Sequence, residues 1–182
     1  MNLLNSFQFI GQFTELKGQK NLITLSVDSS VSKETMKSAM GRVYVFVEEK
    51  TDGSVEILKI GKSSDKGGLL GTLGFYVSAL SGTPGQNRFC LHHMISDKLK
   101  SGSIIKIYVR FTESVKKKIS GLTSEVEVEV PLDVTYVEHL CLQDYKSVYG
   151  SYPSWNFQES GNQLPKSLME SFGKFIADKK KS

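Results

Sequence analysis

A chain of 182 residues with 39% hydrophobic side chains can bury one substantial core but is short for two, and its charged fraction of 23% excludes wholesale disorder. The formal net charge of +4 includes Lys179, Lys180 and Lys181 at the far end, so any anionic ligand must be met by a local patch rather than by bulk charge. Two cysteines, Cys90 and Cys141, exclude a disulfide scaffold and lack zinc-site spacing, no apolar run of about 18 residues offers a membrane span, and residues 1–6 do not read as a signal peptide, so a soluble intracellular protein is expected.

In chain order, residues 7–13 and 22–27 alternate apolar and polar side chains around the turn-forming stretch Lys17-Gly18-Gln19-Lys20, which predicts an N-terminal ribbon. Residues 32–40 have helical composition and stop at Gly41. Val43-Tyr44-Val45-Phe46-Val47 is β-branched and aromatic, Asp52-Gly53 is a hairpin turn signal, and residues 55–60 return as a second strand ending at Gly61. Residues 63–84 hold five glycines and read as a loop or a broken helix. Phe89, Leu91, Met94, Ile95 and Leu99 fit an amphipathic helix between Gly85 and Gly102, and a strand follows over 103–111. Lys116-Lys117-Lys118 reads as a solvated loop, and residues 125–130 alternate acid and valine as an exposed strand would. Asp133 suits the N-cap of a helix reaching Val148, residues 149–156 are rich in turns, and residues 164–179 read as a last helix with Pro165 in its first turn. Strands and helices do not alternate regularly, so the expected class is α+β with a small central mixed or antiparallel sheet flanked by helices. The expected organisation is one domain: ribbon and helix over 1–40, core over 41–158, helix and basic tail over 159–182.

Certain polar residues in this frame can carry chemistry. Tyr44 and Lys59 fall on adjacent strands, away from their turn, where a hydroxyl and an ammonium can share one face. Arg88 and His92 are four apart on one helix face and could hold and polarise a phosphate. Glu138 lies in an otherwise apolar helical stretch, where a carboxylate calls for a partner such as a divalent cation. Asn156 can hydrogen-bond locally and rigidify its turn. Each has an ordinary reading as well: a half-buried strand tyrosine, a surface lysine, an exposed polar stripe, a carboxylate on a wet helix side.

The order of these residues adds information. Val43-Tyr44-Val45, then Lys59-Ile60-Gly61-Lys62-Ser63, then Arg88 with His92, Glu138 and Asn156, resembles the signature of the GIY-YIG nuclease superfamily over roughly residues 41–158. The residues around 9–16, 99–103 and 153–158 look most like its short stand-alone members, type II restriction endonucleases and the phage endonuclease II kind. The resemblance implies a metal-dependent DNA endonuclease acting on double-stranded DNA in the cytoplasm of a bacterial or phage-infected cell, with Mg²⁺ or Mn²⁺ as cofactor. It implies Tyr44, Lys59, Arg88, His92 and Glu138 as catalytic residues, Glu138 as metal ligand, and Gly61 and Asn156 as supports. Lys62, Lys66 and Arg88 would bind DNA. The first motif lacks its glycine, and residues 63–74, where many relatives carry an arginine, have none. The phosphate-binding role therefore passes to Arg88, with Lys62 and Lys66 as the alternative cations. A non-catalytic nucleic-acid-binding module on the same scaffold is the alternative function, and assembly, including a homodimer or higher homo-oligomer, is left open.

Overall fold

The five-residue run from Val43 to Val47 is apolar at every position, the pattern of a strand covered on both faces. In the computed structural model, which describes residues 3–16 and 22–181, it forms the middle of β3 (Arg42–Glu49), buried throughout except at Glu49. β4 (Val55–Ser63) returns beside it, and β5 (Ile104–Phe111) pairs along its other edge. The ribbon β1 (Gln8–Glu15) and β2 (Ile23–Val27) joins through β1 to β5. The result is a five-stranded sheet in the order β2-β1-β5-β3-β4, antiparallel at every pairing. The N-terminal ribbon is thus part of the central sheet rather than an appendage to it. Its expected turn at residues 17–20 lies outside the described residues.

Helices cover both faces of the sheet. α1 (Lys33–Lys37) is shorter than the sequence suggests; Ser32 caps it by accepting from the Thr35 amide. On one face, Leu69, Leu73 and Tyr76 of α2 (Gly68–Val77) and Leu91 and Ile95 of α3 (Gln86–Lys100) pack with Tyr44, Phe46, Ile105 and Ile107. On the other, Val137, Leu142 and Tyr145 of α4 (Val134–Tyr149) pack with Val43, Val45, Val47 and Ile60. Asp133 caps α4 by accepting from the Thr135 amide, as its position suggested. After the short α5 (Phe157–Ser160), α6 (Lys166–Lys179) lays Phe172 and Phe175 against Phe89 of α3.

The structure chooses between the two readings of the glycine-rich stretch and corrects the reading of the lysine run. The glycine-rich stretch contains a ten-residue helix, α2, because Leu69, Leu73 and Tyr76 at i, i+4 and i+7 gain a buried side. That gain outweighs a helix-propensity loss of roughly 1 kcal/mol per glycine. The three lysines are also not a loop. They lie on β6 (Ser114–Ser120), which forms a separate hairpin with β7 (Glu125–Pro131). Across it Lys116 reaches Glu127 at 3.3 Å and Lys118 reaches Glu125 at 3.2 Å, so the acid–valine alternation and the lysines describe one paired ribbon. Cys90 is buried and Cys141 half-buried, both as free thiols. Among the described residues no helix is long and apolar enough to cross a membrane.

Phe46 is fully buried at the centre of this packing, with edge-on rings from Phe13 and Tyr76. Phe46→Ala is expected to reduce unfolding free energy by about 3–5 kcal/mol in urea titration; a loss under 1 kcal/mol would show that the core does not depend on this ring.

Candidate active site

The register of β3 and β4 decides what faces the α2–α3 side. Tyr44 stands opposite Gly61 and Phe46 opposite Lys59, whereas Val47 stands opposite Ile57, so Leu58 is an extra residue on β4. This bulge puts Leu58 and Lys59 in succession on the Tyr44 face. Gly61 matters for a different reason. A Cβ there would lie 2.5 Å from the Tyr44 hydroxyl oxygen, so only glycine lets the phenol cross over the neighbouring strand.

Beside these strands opens a cavity of about 350 Å³. Its wall includes Tyr44, Lys59, Gly61, Lys62, Arg88, Glu138 and Asn156, drawn from β3, β4, α3, α4 and the turn after α4. The structure therefore brings together seven of the nine residues singled out from sequence. Lys66 is exposed and does not line the cavity. His92 is fully buried and lies behind the wall, its Nδ1 2.6 Å from the Tyr76 carbonyl oxygen. A carbonyl only accepts, so Nδ1 carries the proton of that bond. Arg88 and His92 do share a helix face, but Arg88 reaches the cavity while His92 sits one turn deeper, holding α2 against α3.

Tyr76 is the main residue that sequence reasoning missed, because it lay in the glycine-rich stretch read as a loop or a broken helix. It lines the cavity, and its hydroxyl is 2.7 Å from that of Tyr44. The i+4, i+7 relation of Leu69, Leu73 and Tyr76 was the available signal. Thr72 and Ser63 also reach the wall, with the Thr72 hydroxyl donating to the Ser63 oxygen at 2.7 Å.

Burial sets the proton affinities. The Tyr44 phenol is pushed well above its ordinary range, first by burial, then by the adjoining Tyr76 and by the negative charge of Glu138. Burial raises Tyr76 as well. Both shifts oppose ionisation of the two phenols. Lys59 itself is lowered by burial, opposed by Glu159 and Glu138. Arg88 is laid over the Phe75 ring, its guanidinium carbon 3.9 Å from the ring centre. The Glu138 Oε2 accepts from the Lys62 ammonium at 2.7 Å. Asn156 bonds within its turn, its backbone amide donating to the Pro153 carbonyl at 3.0 Å and its side-chain nitrogen reaching Glu159 at 3.5 Å, and it also reaches across to β4. Its side-chain oxygen accepts from the Ile60 amide at 2.8 Å and its side-chain nitrogen donates to the Ile60 carbonyl at 2.7 Å, so it docks on β4 as a strand would.

Glu138 and Glu159 are the carboxylates on this wall. Among the described residues no three His, Cys, Asp or Glu side chains form a cage. Such a donor set suits a hard cation that takes one or two carboxylates and completes its shell with water and phosphate oxygens, as Mg²⁺ does.

No protein-family model matches the chain, and no curated protein matches it. Two solved structures are similar to it. One is a mutant of bacteriophage T4 EndoII, with 15% identity, 83% of this chain and 91% of that chain covered, and a TM-score of 0.46. The other is restriction endonuclease HPY188I in complex with product DNA, with 17% identity, 82% and 79% covered, and a TM-score of 0.43. At these scores the likeness is one of partial shape, and the chemistry stands on the cavity itself.

Two expected outcomes follow from the cavity. Gly61→Ala must displace the Tyr44 ring; a loss of the Tyr44–Tyr76 contact, read as altered tyrosine fluorescence and a lowered Tm, is expected, and an unchanged Tm would show that the strand yields freely. Lys59→Met should raise Tm at neutral pH. Burial holds the native Lys59 pKa below its unfolded value of about 10.4, so the folded state bears a charge penalty at neutral pH that vanishes above that value. The stabilisation should therefore shrink as pH climbs to about 10.4, and a gain that is flat with pH would assign it to packing alone.

Proposed function

We propose that this chain is a metal-dependent DNA endonuclease of the GIY-YIG type. The observation that carries the reading is the convergence on one cavity of the Tyr44 hydroxyl, the Lys59 ammonium, the Arg88 guanidinium and the Glu138 carboxylate, from β3, β4, α3 and α4. DNA as the substrate comes from the motif order that resembles this superfamily.

Phosphodiester hydrolysis requires a water aligned opposite the leaving oxygen and positive charge around the phosphoryl oxygens. Arg88 offers a planar fork that can make two hydrogen bonds to one phosphate. Lys59, largely desolvated, places a second positive charge where the surroundings screen it little. In the Tyr44–Tyr76 pair one hydroxyl proton is used between the two oxygens, which leaves one proton and the remaining lone pairs to orient a water. With its proton affinity raised, Tyr44 serves as a neutral hydroxyl that positions the nucleophile. Glu138 would hold the divalent cation, with Glu159 as the second carboxylate on the wall. When bound, the cation supplies electrostatic stabilisation to the phosphoryl and leaving oxygens. His92 acts from behind the wall by fixing Tyr76, and Asn156, on the wall, acts by fixing the backbone of Ile60 between Lys59 and Gly61.

The deciding experiment is Mg²⁺-dependent nicking of supercoiled plasmid by the purified chain. Glu138→Gln should abolish cleavage while DNA binding stays within a few fold, and Arg88→Lys should remain impaired although the charge is kept. Tyr44→Phe and Tyr76→Phe should each slow single-turnover cleavage by at least about 10²-fold, the scale of a lost proton-handling or water-orienting group. Salt-sensitive DNA binding with no cleavage under any divalent cation would assign the chain to a binding module instead. Full activity in Glu138→Gln would remove Glu138 from the site.

A further inference from the structure

We propose that Lys62 is a placeholder for the divalent cation: its ammonium holds the Glu138 carboxylate until the cation displaces it, and is then turned toward the substrate phosphate. The inference rests on the reading of Glu138 as the metal-holding carboxylate.

The geometry is specific. Lys62 Nζ lies 2.7 Å from Glu138 Oε2, with the Glu138 side chain 14% exposed and that of Lys62 39% exposed. A carboxylate this sheltered is costly to leave without a positive partner. The partner it has is the more exposed of the two, on a flexible four-carbon stem that can leave without moving backbone. Lys62 stands opposite Val43 in the strand register, on the α4 side of the sheet, and still reaches the cavity wall. Its stem therefore starts outside the Tyr44–Lys59 face and reaches the cavity at the border where Glu138 of α4 approaches.

Charge decides that the two occupants exclude each other. Lys59, Lys62 and Arg88 face Glu138 and Glu159 across one cavity. A divalent cation seated on Glu138 beside an ammonium held at hydrogen-bond distance from the same carboxylate would meet strong like-charge repulsion at low screening. Nor is the ion pair needed to fasten α4, because Val137, Leu142 and Tyr145 already anchor that helix to the sheet. Exchange breaks one ion pair and forms another, and it frees an ammonium near the phosphate-binding side of the site. By linkage, cation and DNA should each strengthen the binding of the other.

The test is Mn²⁺ binding to the full chain without DNA, followed by the electron paramagnetic resonance signal of free Mn²⁺. Lys62→Met should bind Mn²⁺ roughly 3- to 10-fold more tightly than the unaltered chain, the scale of releasing a partly exposed ion pair. Lys66→Met, which removes an exposed positive charge that does not line the cavity, should change affinity less than about twofold, and Lys62→Gln should behave as Lys62→Met does. A Lys62→Met affinity that is unchanged or weaker overturns the proposal and makes the pair a fixed tie between β4 and α4. Equal tightening in Lys62→Met and Lys66→Met also overturns it, as a general charge effect, and so does the absence of binding by all of these proteins at millimolar Mn²⁺. Glu138→Gln separates the two levels: Mn²⁺ affinity kept in that variant removes Glu138 as the metal residue, whereas affinity lost there but unmoved by Lys62→Met removes only the placeholder.

Discussion

Everything in the cavity is placed relative to one close approach, the phenol ring of Tyr44 lying across Gly61 of the neighbouring strand. A methyl group at residue 61 would fall within 3 Å of two ring carbons and the hydroxyl oxygen of Tyr44, so the strand must be bare at this point. The crossing carries the hydroxyl to Tyr76, and through the Tyr76 carbonyl to the ring of His92. Two strands and two helices are thereby fixed to one another by a glycine and two short hydrogen bonds. The bulge at Leu58, three residues earlier on β4, then delivers Lys59 to the same side.

The scaffold holds these polar groups by tying α3 at several depths. At the end of β3 remote from the cavity, Glu48 is almost fully buried, accepting from Lys98 at 2.9 Å and from the Ser103 hydroxyl at 2.7 Å. That cluster pins the C-terminal end of α3, and His92 pins its middle. Arg88, near the N-terminal end, is left to extend over Phe75 toward the cavity. Such a helix points a cation at a fixed place without burying it in an ion pair. The half-buried Lys59 opposes stability locally, and the apolar cover on both faces of the sheet makes that tolerable.

Much of this was legible in the sequence because it depends on period and punctuation. The apolar run at 43–47, the Asp52-Gly53 turn, the 85–102 helix and the Asp133 cap are local signals, and each appears where expected. The order of Tyr44, Lys59, Arg88, Glu138 and Asn156 also foretold a common neighbourhood. What was not legible depends on contacts between distant segments. Tyr76 was hidden because glycine density outweighs three apolar residues in a propensity reading, while in the fold those three bury a helix side. The lysines at 116–118 pair with acids seven to eleven residues further on, which a local reading of a charge run does not reveal. His92 looked like a surface partner of Arg88 because helical spacing gives the face but not the depth. The Leu58 bulge leaves no mark in the sequence, although it orients Lys59.

Asn156 bears on how the protein meets other chains. β4 is the last strand of its sheet, and a bare outer strand invites extension by any passing segment, including one from another copy. Here the Trp155 amide donates to the Leu58 carbonyl, and the Asn156 side chain engages both backbone groups of Ile60. The protein's own chain thus occupies the rail on which a foreign strand would dock, beside the residues that line the cavity. Aggregation through this border is discouraged by the same amide that keeps Lys59 and Gly61 in register, so replacing Asn156 would remove a guard against sticking as well as a support for the site.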